Sequence, residues 1–141
     1  MKKLLVICML IPIINFAQND VFGTWVTYDD ETGKARSHVK IYEGKDGKTY
    51  GKITNILNPS KPNPTCDKCS GSDKGKPIEG LVIIKSLEKD DDEYDDGTIT
   101  DPENGKKYDC KIWIDEDDSD ILYVRGYVAF FYRTQKWKRL K

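Results

Sequence analysis

Two thiols three residues apart, Cys66 and Cys69, are the groups whose type and spacing speak most directly of chemistry. A Cys-x-x-Cys pair can exchange electrons as a dithiol, supply half of a tetrahedral zinc site, or close a local disulfide. Dithiol exchange needs the first thiol at a helix N-terminus that follows a strand. Here the pair sits in a polar stretch, 58–77, rich in Pro, Lys, Ser and Gly, with no strand–helix–strand pattern around it. Zinc needs two further ligands, and beyond the N-terminal apolar stretch the chain offers only Cys110 and His38. The context favours a disulfide that shapes a long loop, in a ring too short to tie down the whole fold. Cys110 alternates with Tyr108, Ile112 and Ile114, so it reads as a thiol on an apolar strand face, packing as a small hydrophobe. As a nucleophile it would need a base, and His38 is the one imidazole in the chain.

The carboxylates form no acid–base pair that spacing can identify. Most of the 24 acids fall in turns. A calcium loop starting at Asp92 would put Tyr94 where an oxygen ligand is needed and Pro102 just before the last ligand. The stretch 90–97 therefore reads as a solvated hairpin rim. Phosphate loops, nucleophile elbows and nucleotide fingerprints are missing from the 141 residues, so no catalytic, metal or cofactor site is assigned. With 23 basic residues against 24 acidic ones, the net charge is −1, which argues against a nucleic-acid partner. No apolar run reaches the roughly 20 residues of a membrane-spanning helix.

The elements that must position these groups begin after the N-terminus. Lys2 and Lys3 precede a short apolar stretch that ends near Ala17, the pattern of a secretory signal peptide. Residues 1–17 are expected to be removed, which sends a single domain, 18–141, to the periplasm or the medium. Loss of two lysines and no acids makes that domain more acidic than the whole chain. It reads as all-β. Short β-prone runs at 22–28, 37–43, 49–57, 81–87, 94–100, 107–115, 121–129 and 130–138 are separated by turn signals. Thr32-Gly33, Asp46-Gly47 and Asn104-Gly105 suit tight hairpins. About eight antiparallel strands close an up-and-down barrel around a filled interior or one small ligand. The last two runs carry aromatic or polar groups on both faces. From them, Arg125, Tyr127 and Trp113 are the candidates for lining a pocket, with Arg125 as an anion anchor.

Gly23-Thr24-Trp25 opens the first run and Arg139 closes the last. This resembles the lipocalin-like (calycin) barrels, in which a Gly-x-Trp packs at the closed end under a basic side chain of the final strand. Antiparallel pairing of first and last strands favours Arg139 over Arg133 as the partner of Trp25. The fuller pattern adds Gly33-Lys34-Ala35-Arg36, Tyr50-Gly51-Lys52-Ile53, Cys66-x-x-Cys69-x-Gly71 and Ile78-x-Gly80. It continues with Asp101-Pro102-x-Asn104-Gly105-Lys106-x-Tyr108, Val124-Arg125-Gly126-Tyr127 and Arg133-Thr134-Gln135-x-Trp137-x-Arg139. Together these resemble the exported bacterial domain-of-unknown-function family 2147. The resemblance implies an envelope protein with a small lipocalin-like barrel and no established activity. Ala129-Phe130-Phe131-Tyr132 departs from it, being more aromatic than the small link expected there.

The leading expectation is a monomeric exported barrel that binds a small apolar or amphipathic ligand inside. An envelope interaction module acting through the 58–77 loop and a redox factor acting through Cys66 and Cys69 are the alternatives.

Overall fold

The computed structural model describes Lys3, residues 7–12 and residues 20–141. The Ala17 cleavage position and much of the apolar stretch lie outside the described residues. The eight strands are β1 (Gly23–Tyr28), β2 (Ala35–Glu43), β3 (Thr49–Ile56), β4 (Val82–Asp90), β5 (Glu93–Thr100), β6 (Lys107–Ile114), β7 (Ile121–Val128) and β8 (Phe131–Arg139). One turn of 3-10 helix, Gly71–Asp73, interrupts the β3–β4 connector. Each strand pairs antiparallel with its neighbour in sequence, and β1 pairs with β8 to close the barrel. Among the described residues no helix is long and apolar enough to cross a membrane.

Alternation makes these strands and also sorts their side chains. Trp25 on β1 lies opposite Val39 on β2 and Arg139 on β8. Trp25, Ile41, Leu87, Ile112, Leu122 and Trp137 are fully buried and fill the end of the barrel where the chain enters. The acidic run 90–97 is strand and tight turn: Asp90 ends β4, Glu93 starts β5, and Asp91 takes a left-handed φ of 57° between them. The connectors 29–34, 57–81, 101–106 and 129–130 all lie at the opposite end.

The long connector is more ordered than its composition suggests. Thr65 bridges Pro77, the Cys66 N–H donates to the Lys76 carbonyl (2.8 Å), and the Gly75 N–H donates to the Cys66 carbonyl (2.9 Å). Residues 65–77 thus fold back on themselves as a lobe. The lobe rests on the β5–β6 turn, where a Cβ on Gly105 would fall 1.9 Å from the Lys68 carbonyl oxygen. Gly105 also has φ +71°, so glycine is required there twice over, by backbone conformation and by close approach.

Candidate functional site

Above the packed end the barrel opens into a cavity of about 850 Å³. Small-molecule sites run roughly 300–1,000 Å³. Trp137 and Val124 line its deeper part, continuing the buried core. Ile53, Ile83, Ile99, Tyr108 and Gly126 form the wall. The rim comes from the 29–37 and 57–68 segments, the 101–103 turn and the start of β8. Apolar wall positions follow from the inward half of each strand. Gly126, with no side chain, widens the space between Tyr108 and Ile99.

The wall is apolar, but much of the lining at the rim is polar or charged, Asp29, Lys34, Arg36, Lys61, Asp67 and Lys68 among it. The Thr27 and Ser37 hydroxyls hydrogen-bond to each other at 2.7 Å. Gln135 accepts from the Trp137 indole N–H (3.0 Å) and donates to Asp30 (2.9 Å). Asp30 also pairs with Arg133, and Arg36 pairs with Glu103, so two ion pairs stand at the rim. Thr100 is 5% exposed, and its hydroxyl has no hydrogen-bond partner among the described residues. An unmade bond on a buried hydroxyl costs about 1–3 kcal/mol.

Arg125, Tyr127 and Trp113 are not in the cavity. Leu122 and Val124 are buried inside, which sends Tyr123, Arg125 and Tyr127 to the outer face by alternation. There the Arg125 guanidinium lies 4.3 Å from the Tyr132 ring centre and 4.9 Å from that of Trp113, and its Nε donates to the Thr134 hydroxyl at 2.8 Å. Trp113 stacks on Tyr123. The expectation that Arg125 anchors an anion inside the barrel is corrected on this ground. The signal was present in β7, whose alternate set Leu122, Val124, Gly126 and Val128 is wholly apolar. The aromatic weight of the other set obscured it.

Gly23, Trp25 and Arg139 meet at the closed end. The Arg139 guanidinium lies 4.3 Å from the Trp25 ring centre. It donates to the carbonyls of Phe22, Asp20 and Ser119 at 3.0 Å and faces Asp120. The Trp25 indole N–H donates to the Val21 carbonyl (2.9 Å). Gly23, at φ +125°, makes room for Arg139 Nη1.

Cys66 and Cys69 are joined by a disulfide and both are buried. Cys110 points into the core, and burial pushes its thiol up to about 12. A thiol held that high is not a nucleophile near neutral pH. His38 lies beside Val39 on the outward side of β2, so it does not face Cys110. Among the described residues no group of three His, Cys, Asp or Glu side chains could hold a metal ion.

Comparison with known proteins places this geometry. The fold is similar to a solved structure described as "Protein HP1028 from the human pathogen Helicobacter pylori belongs to the lipocalin family". The two align with a TM-score of 0.72 and 20% identity, over 86% of this chain and 84% of that one. At that identity the likeness is one of fold. No curated protein matches the chain. The family described as uncharacterized protein conserved in bacteria, DUF2147, matches residues 23–139, and the chain, a closed lipocalin-like barrel with its Trp25–Arg139 contact and its paired Cys66 and Cys69, belongs to it.

Proposed function

We propose that this protein is an exported, monomeric binding protein that holds a small amphipathic ligand in the barrel cavity. The observation that carries the reading is the cavity itself: about 850 Å³, apolar-walled, open at one end and floored by packed core. Such a space suits an apolar body. The Thr27 and Ser37 hydroxyls and the Gln135 amide are the groups that would orient a polar end. The 58–77 segment is part of this site, since Pro59, Lys61, Pro64 and Lys68 form its rim. The sheet closes on itself, β1 meeting β8 at Trp25–Arg139 and Val26–Lys138, which supports a monomer. The basic start and apolar stretch before Ala17 support export. An intact mass beginning at Gln18 in protein recovered from the envelope or medium would bear that out, and retention of Met1 would count against it.

Binding is tested by native mass spectrometry, by solvent extraction of purified protein, and by titration with an environment-sensitive fatty-acid probe. Gly126→Leu puts bulk into the cavity and should weaken probe uptake about tenfold while the β-sheet spectrum is kept. Absence of both retained and titratable ligand, or equal uptake by the variant, would sink the reading.

A further inference from the structure

The two-residue turn between β7 and β8 ends the barrel in an apolar point. Phe130 is 97% exposed and Phe131 80%, flanked by the exposed Val128 and Tyr132. An aromatic cluster this bare on a hairpin tip contributes nothing to the core and has a solubility cost. It adjoins the cavity mouth, because Val128, Phe131 and Tyr132 also line that space. From the tip, the outer face of β6–β8 continues as rings under cations. Arg125 lies against Tyr132 and Trp113, Lys136 over Tyr123 at 5.7 Å, and Lys111 over Trp113 at 5.9 Å. Lys111 also pairs with Glu93, and Asp109 is the acid that faces outward within β6. Acids also stand around the mouth, where Asp30 is paired with Arg133 and Glu103 with Arg36, while the densest acidic runs, 90–92 and 115–120, lie in connectors at the barrel's closed end.

We propose that this hairpin tip and the cation-bearing outer face behind it dock on an anionic phospholipid bilayer, with the cavity mouth held at the lipid surface. Phenylalanine at a convex tip enters the acyl boundary. Tyrosine and tryptophan favour the headgroup level, and long cationic side chains reach up to anionic phosphates. The closed end, where the unbroken acidic runs lie, is repelled more strongly by the same surface, so the approach is tip first. A protein partner fits less well. A stable protein interface takes about 800 Å² and 20 or more residues from each side, whereas the apolar tip consists of four side chains on a turn. The docking surface stands whether or not the cavity holds a ligand.

The test is co-sedimentation of the purified protein with vesicles of phosphatidylglycerol and phosphatidylcholine in equal parts, and with phosphatidylcholine alone, at low and high salt. The wild type should bind the anionic vesicles about tenfold more tightly than the neutral ones, with that preference lost at high salt. Phe130→Ser with Phe131→Ser should lower anionic-vesicle binding about tenfold without disturbing the near-ultraviolet spectrum of the buried tryptophans. Arg125→Gln with Lys136→Gln, which leaves the tip intact, should reduce the preference for anionic lipid. Wild-type protein that stays in solution, a serine variant that sediments like wild type, or a charge variant that keeps the full preference would overturn the proposal. So would a wild-type dimer that the serine variant turns into a monomer, since the tip would then be a self-association surface.

Discussion

Arg139 and Cys110 show how one side chain acquires its character from the wall around it. Arg139 is nearly enclosed, and it saturates three backbone carbonyls while covering Trp25. Arg139→Ala should therefore lower unfolding free energy by about 2–4 kcal/mol, read from urea melts. The resemblance to lipocalin-like barrels pointed to this contact, and closure, which brings the start of the first strand beside the end of the last, chose Arg139 over Arg133. Cys110 should resist a thiol reagent in the folded protein and react only on unfolding, whereas the exposed Cys8 should react at once wherever residues 1–17 are retained. Asp73 carries a pH prediction. Its carboxyl is held below the ordinary value of 3.8, first by the hydrogen bond from Lys85, against a smaller opposing effect of burial. The stability this lends is fully present above that ordinary value and fades as the pH falls through the lower, folded one. Lys85→Met should flatten the stability profile in that acid window and leave its shape near neutrality unchanged.

At the scale of elements, strand positions were readable because alternation and Gly-containing turns are local signals. Facing was harder. In β7 the apolar set marks the inner face, but the aromatic weight of the opposite set masks it, and the burial of Leu122 and Val124 is what sends Arg125 outward. The 65–77 lobe was not legible at all beyond its Cys pair. Backbone hydrogen bonds hold it, and those leave no mark on side-chain pattern. Cys66→Ser with Cys69→Ser should speed hydrogen exchange across 65–77 and cost the barrel about 2 kcal/mol at most, since the ring closed is so short. Gly105→Ala should do more damage. Its Cβ would collide with the Lys68 carbonyl, and the lobe should separate from the β5–β6 turn with a similar loss of protection there.

Taken whole, the molecule is divided along its axis. One end is packed solid around Trp25, Trp137 and Leu122, with acidic connectors outside it. The other is hollow, with two ion pairs at its rim and phenylalanine at its tip. The packing that holds the barrel together is thereby confined to one end, so rim and wall positions can vary with little effect on the melting of the core. Fold class was legible at this scale because eight short runs with tight turns have few closed solutions. The cavity was not, since its size depends on how far the inward side chains reach across the barrel.

The seam between β1 and β8 has a kinetic consequence. Every other strand pair joins neighbours in the chain, while the seam joins Trp25 to Arg139 and Val26 to Lys138, with the Leu140 N–H donating to Thr24. Contacts so distant in sequence are entropically the hardest to form, so the ribbon of hairpins should assemble first and its two ends meet after the rate-limiting barrier. Weakening the clasp at Arg139 should then hasten unfolding and leave the folding rate nearly untouched, which stopped-flow measurements on the two limbs would separate.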